Sequence, residues 1–306
     1  MTKPAQPYKK TSLEQFTPEA QEAIRNRAIT GNWELNRLIK VLGELAHFDE
    51  VNEKATGRAL GWTIGFFVLA FLSIFAGAIL GEVLNTGLVW LLLPAFIGLA
   101  IHRLLRYRKC KKMDLINDFR GCLRPALKDL ANDIDREKKI KVQMDLSGPV
   151  ESKKKSKMEI PPGAYIKVEE TIYEDPWCEV RLPLVDGTTA VVEFDITWHK
   201  LDVRKRGSRG KIKFKTKWRK ECVARATLMP PESIQWKEDS LRERADSRLE
   251  KVKMVDKDGV TCARMERYWK FKGGGDAPGD APPSREVVGL LLRLHSAMVA
   301  PPEVRS

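Results

Sequence analysis

GWTIGFFVLAFLSIFAGAILGEVLNTGLVWLLLPAFIGLAI, residues 61–101, holds a single charged side chain, Glu82, and one small polar cluster, Asn85-Thr86-Gly87. The first half, residues 61–81, is uncharged throughout. At about 1.5 Å of rise per helical residue it reaches roughly 32 Å, close to the hydrocarbon thickness of a bilayer. The second half, residues 83–101, reaches roughly 28 Å on the same measure. A buried helix of a soluble protein normally keeps a polar face, and neither half has one. A wedge that enters and leaves one leaflet would hold its polar turn in hydrocarbon, which is costly. Two membrane helices joined by a turn at residues 82–87 are therefore expected.

The lysines and arginines orient this hairpin. The turn has none, whereas Lys54 and Arg58 precede the first helix and Arg103, Arg106, Arg108, Lys109, Lys111 and Lys112 follow the second. The positive-inside rule places both termini in the cytoplasm. The expected location is thus multi-pass, two spans, in a bacterial inner membrane. Trp62 and Trp90 suit an interface, and Pro94 is expected to kink the second helix. Gly61/Gly65 and Gly77/Gly81 are four apart, a spacing that lets helices approach closely.

The 306 residues carry a formal charge of +13. Such an excess points to an anionic partner: lipid headgroups, nucleic acid or an acidic protein. Five cysteines, odd in number and without a CxxC pair, fit free thiols in a reducing compartment rather than a disulfide framework or a zinc site. The polar start, MTKPAQPYKK, lacks the apolar core of a cleavable signal, leaving the first membrane helix to direct targeting.

Outward from the hairpin, residues 1–16 read as disordered. Thr17-Pro18-Glu19 starts a helix, with Thr17 as its cap, that runs to about Ile29 and ends at Gly31. Asn32 opens a second, carrying Leu35, Leu38, Ile39, Leu42, Leu45 and Phe48 at helical spacing. The two fill residues 17–60. After the hairpin (61–102), helices are expected over 103–138, broken at Gly121 and Pro125 and resuming from Ala126 to about Glu137. The helices flanking the membrane should pair as a cytoplasmic stem. From Ile140 the period changes to alternation, with a linker over 147–163 and strands near 164–173, 177–185, 189–203, 211–229, 249–255 and 261–271. Asp186-Gly187 and Asp258-Gly259 signal hairpin turns, and residues 233–248 read as a charged helix. A flexible tether, 273–284, leads to an amphipathic helix over 285–299, capped by Ser284. Val287, Leu291, Leu294 and Met298 on its apolar face need a surface: their own domain, a second copy or another protein. The expected fold is an α+β membrane protein: a transmembrane hairpin, cytoplasmic helical extensions and a β-rich cytoplasmic domain (139–272), a small barrel or sandwich.

The segment RKRGSRGKIKFKTKWRK, residues 204–220, is the strongest functional signal. Lys211, Lys213, Lys215, Lys217 and Arg219 fall on one face of a strand, and Ile212, Phe214, Thr216 and Trp218 on the other. Five cations along roughly 27 Å form a basic ridge, expected to rest on a packed apolar underside. A turn centred near Gly207 would set Asp195 opposite Arg219 and Thr197 opposite Lys217, matching part of the charge. Arg204, Lys205, Arg206 and Arg209 add to the unmatched part. A solvated strand face or a guarded sheet edge would look similar. The functional alternative is a polyanion site.

Catalytic signals are weak. His47, His102, His199 and His295 have no neighbours at metal-ligand spacing, and no phosphate-binding glycine loop, nucleophile elbow or HExxH occurs. Glu169-Glu170 and Glu174-Asp175 lack evident partners and read as solvated surface. No cofactor, metal or catalytic residue is assigned. The expected function is a non-enzymatic membrane-anchored adaptor or scaffold. The alternative is a subunit of an oligomeric channel or transporter, which the apolar spans disfavour.

Overall fold

A computed structural model describes residues 13–84, 92–148, 155–159, 166–207, 210–231, 235–236, 250–257, 259–273 and 280–299. The fold is α+β, and its contacts divide it into two units, residues 1–25 with 44–115 and residues 26–43 with 116–306. Helix α1 (Pro18–Asn26) up to Arg25, helix α2 (Leu35–Leu84) from Glu44 on and helix α3 (Leu92–Lys112) supply the first unit. The second holds α4 (Arg124–Asp129), α5 (Ser284–His295) and strands β1 (Ala28–Trp33), β2 (Ile140–Asp145), β3 (Lys155–Glu159), β4 (Lys167–Pro183), β5 (Thr189–Arg206), β6 (Ile212–Met229), β7 (Gln235–Trp236), β8 (Glu250–Lys257), β9 (Val260–Gly273) and β10 (Met298–Val299).

In the first unit, one helix is long and apolar enough to cross a membrane, by length and composition. Its apolar side chains are not core: Trp62, Ile64, Phe67, Val68, Phe71, Leu72 and Phe75 are each 48–60 % exposed. From Ala59 on, the described buried positions are small or polar, Ala59, Thr63, Ala70, Ser73 and Gly77, at steps of three, four or seven residues that keep them on one stripe. The Thr63 hydroxyl donates to the Ala59 carbonyl and that of Ser73 to the Ala70 carbonyl, so both are satisfied within α2. Helix α3 returns beside α2: Phe66 stacks on Phe96 at 6.5 Å, and Asn52 Nδ2 donates to the Cys110 carbonyl at 3.0 Å. One antiparallel register accounts for both contacts, and the Leu115 N–H closes the pair by donating to Asp49.

Several local expectations are corrected here. A Cβ at Gly61 or Gly65 would meet nothing within 4 Å, so these glycines are not at the α2–α3 contact. The Thr17 hydroxyl, at the start of α1, donates to Glu44 at 2.7 Å. The turn expected at residues 82–87 does not begin at Glu82, since α2 continues to Leu84, and its remaining residues lie outside the described ones.

Helix α1 ends at Asn26 rather than Ile29, because Arg27 takes a left-handed conformation (φ 51°) and the chain turns into β1. Helix α3 stops at Lys112, before the expected breaks, and the Ile116 N–H leaves the helical ladder to donate to the Leu146 carbonyl. A π-helical turn, Phe119–Leu123, then leads into α4, where Pro125 sits at the start and which ends at Asp129, not near Glu137.

The β-rich unit is one antiparallel sheet in the order β1-β2-β4-β5-β6-β9-β8, with β3 also paired to β4. Among the described residues the path does not close on itself, so neither the barrel nor the sandwich describes it; β7 and β10 form a separate short ribbon. Two expected strands merge into β4, bent by a register shift between Asp175 and Cys178. Strand β3 occupies part of the expected linker, and β1 is a strand that helical spacing had concealed. Asp186-Gly187 makes the β4–β5 turn, with Gly187 at φ 84° and the Thr188 N–H donating to Asp186. The β8–β9 turn passes Gly259 at φ 77°. The helix expected over 233–248 lies outside the described residues except for Gln235 and Trp236, which form β7.

One sheet face is covered by a helical layer. Leu123, Leu127 and Leu130 meet Val180, Val192 and Phe194, with Val287 and Leu291 of α5 joining them. Helix α5 lies on β6, β9 and α4. Its Arg293 and the Arg267 of β9 both donate to the buried Glu250, at 2.7 and 2.6 Å, while Glu286 accepts from Trp269 and Arg267. Four buried aliphatic side chains, each contributing about 1.5–3 kcal/mol, offset the instability of a helix this short.

Candidate anion-binding hairpin

Strands β5 and β6 form the longest hairpin of the sheet, and its far end carries the basic segment. The register runs from Arg206↔Ile212 through Leu201↔Lys217 and His199↔Arg219 to Thr189↔Met229. The turn is centred two residues later than Gly207 alone would place it, because two glycines close it. Gly210 takes φ 75°, and the Gly207 N–H donates to the Lys211 carbonyl at 2.7 Å. Every partner assignment therefore moves by four residues. Asp195 faces Val223, not Arg219, and its carboxylate pairs with Arg225; Thr197 faces Glu221, not Lys217.

The shift takes from the ridge its one expected acidic partner, Asp195. Lys213 faces Lys205, Lys215 faces Val203 and Lys217 faces Leu201. Like charges directly opposite on a ladder are destabilising. On the other face, Arg204 faces Phe214 with its guanidinium 5.7 Å from the ring, and Lys167 lies beside Arg204 on β4. Among the described residues, Arg204, Lys205, Arg206, Lys211, Lys213, Lys215, Lys217 and Arg219 take part in none of the ion pairs. Arg209 lies outside the described residues. Acidic groups nearby are already engaged: Glu169 by Lys167, and Asp202 by Thr216 and Lys200 at 2.6 and 3.0 Å. Burial works against ionisation of Asp202, but these hydrogen bonds outweigh it and hold its carboxyl below the usual value.

The apolar underside does not pack as expected. Trp218 is buried and stacks with Tyr173 at 6.3 Å, and there the core ends. Beyond it, Ile212 is 44 % and Phe214 78 % exposed. Strand β9 begins pairing only at Trp218, so β6 over 212–217 has β5 as its single neighbour among the described residues.

At the inner end of the basic run, Lys220 behaves oppositely. It is 1 % exposed; its Nζ donates to Asp118 Oδ1 at 2.5 Å and to the Asp280 carbonyl at 2.6 Å, over the rings of Trp198 and Phe271. Burial pushes the Asp118 carboxyl up, against the pull of Lys220. Parity carries the signal that separates Lys220 from its neighbours: it falls on the same face as Trp218 and Cys222.

Each acidic pair has one buried member, while Glu169 is half-buried and Glu174 exposed. Glu170 is buried and bonds His199 Nδ1 at 2.7 Å, and Asp175 is buried at the β4 bulge. All five cysteines are free thiols, four of them buried. Burial raises the thiols of Cys122, Cys178 and Cys222 well above their ordinary range, which makes them inert. Among the described residues no cluster of His, Cys, Asp and Glu is arranged to hold a metal ion.

The proposed partner-binding residues of the terminal helix lie within their own domain. Val287, Leu291 and Leu294 are buried, and Met298 pairs with Trp236 in the β7–β10 ribbon. In comparisons with known proteins, the chain matches no family model, no curated protein and no solved structure.

Proposed function

We propose that this protein is a non-enzymatic membrane-anchored adaptor, held by a two-span hairpin and presenting a basic β hairpin to a polyanion in the cytoplasm. The apolar girth of α2 supports the membrane anchor, since a core helix of a soluble protein would bury those side chains. Strand pairing supports an even number of crossings. Strand β1 precedes α2, β2 follows α3, and the two are hydrogen-bonded neighbours from Ala28↔Asp145 to Trp33↔Ile140. A chain that leaves one sheet and returns to its adjacent strand must enter and leave the membrane on one side. Lysines and arginines at both flanks then favour the cytoplasmic side. The scaffold is preferred to a channel because Thr63 and Ser73, the polar side chains described along the span, are buried and bonded to their own helix.

The observation that carries the polyanion site is the Lys205–Lys213 pairing at the end of a hairpin whose cations form no ion pair among the described residues. Like charges held together in this way raise the local potential that an anionic partner relieves. Full-length protein in neutral nanodiscs should be retained on heparin, and replacing Lys211, Lys213, Lys215 and Lys217 with glutamine should shift elution to clearly lower salt. Equal elution of the two proteins would refute the site.

A further inference from the structure

Resting on that polyanion reading, we infer that the ligand of the hairpin end is an anionic phospholipid surface, into which Phe214 and Ile212 insert. Both side chains are exposed and lie beyond Trp218, the last buried residue on their face of β6. They share their face with Arg204 and Arg206, which pair with Phe214 and Ile212 across the ladder. Two apolar side chains flanked by two guanidinium groups match the layered chemistry of a bilayer boundary. The ring and the aliphatic chain enter below the headgroups, while the arginines stay at phosphate level on their long stems. Lys205, Lys213, Lys215 and Lys217 occupy the opposite face and contribute long-range attraction to negative lipid.

A nucleic acid fits the same charge less well. Single strands are held by successive exposed aromatic platforms. Here Tyr173 and Trp218 are buried, and Phe214 already has a guanidinium against its ring. Neither lipid nor nucleic acid requires Phe214 in a purely electrostatic contact, so this side chain separates insertion from simple attraction.

The test uses the full chain held in phosphatidylcholine nanodiscs and mixed with extruded vesicles, bound protein being separated by flotation. Vesicles containing about 30 % phosphatidylglycerol should bind at least about tenfold more tightly than pure phosphatidylcholine ones. Phe214→Ala should weaken binding to the anionic vesicles about tenfold while leaving heparin elution unchanged. The double variant Arg204→Gln/Arg206→Gln should lose about tenfold or more. These positions are exposed or half-buried at the hairpin end, so thermal melting should match the wild type. Wild-type affinity of Phe214→Ala for anionic vesicles would overturn insertion and leave the polyanion reading standing. So would a single-stranded oligonucleotide that displaces the vesicles through a contact itself dependent on Phe214. If the four-lysine variant elutes from heparin as the wild type does, the failure lies in the polyanion reading instead.

Discussion

Replacing Lys220 with methionine should destabilise the β unit more than any other change to the basic segment. The ammonium and its carboxylate partner are 1 % and 2 % exposed and 2.5 Å apart. Removing one member of such a pair strands the other charge in a dry site and costs about 3–5 kcal/mol. The loss is capped because burial already favours the neutral Asp118 carboxyl, and protonating it at pH 7 costs about 1.4 kcal/mol for each unit between its pKa and the solution. Asp118→Asn should cost less, about 2–3 kcal/mol, since the ammonium keeps the Asp280 carbonyl and the two aromatic faces. The double variant Asp118→Leu/Lys220→Met, which removes both charges, should return to within about 1 kcal/mol of the wild type. Denaturant unfolding of the full chain in detergent, followed by tryptophan emission, measures all three, because Trp198 lies under the ammonium. A Lys220→Met loss below about 1 kcal/mol, or a double variant as unstable as the two single losses added, would refute the buried-pair argument.

Leu294, fully buried under α5, should cost about 2–5 kcal/mol as alanine, with the terminal segment becoming sensitive to protease in the same variant. A helix reserved for a partner would instead show no change in unfolding of the isolated protein. Asp186 offers a pH test. Burial opposes its ionisation, but hydrogen bonds from Thr188 and His295 prevail and lower its pKa. Its contribution is therefore present above the ordinary aspartate value and lost as pH falls through the lowered folded value. The carboxylate is largely solvated, so Asp186→Asn should cost less than about 1 kcal/mol at neutral pH and nothing near pH 2. A constant difference across an acid titration would count against the linkage.

What the residues reveal by themselves follows the range of the interactions concerned. The uncharged girth of 61–81 and the alternation of 211–219 are local patterns, and both reappear as a long apolar helix and a two-faced strand. Partner choice is not local. Moving the turn centre by two residues, through Gly210, exchanged Asp195 for Val223 and turned a partly neutralised ridge into an unmatched one. Lys220 escaped notice because counting charge along a run ignores which face each residue occupies. Strand β1 was hidden for another reason: its six residues are too few for a pattern, and their partners lie beyond the entire helical hairpin. The terminal helix shows the opposite limit, since its apolar stripe was evident while its occupant depended on how the sheet folds.

That pairing of β1 with β2 imposes an order on biosynthesis. The ribosome releases residues 28–33 more than a hundred positions ahead of their neighbours, a delay on the order of ten seconds at ordinary elongation rates. On the proposed two-span reading, both hydrophobic segments insert during that interval, while β1 waits for the strand it will pair with. On that reading the β1–β2 pairing would report on completed insertion, because a chain whose second helix failed to return would leave β1 without its partner.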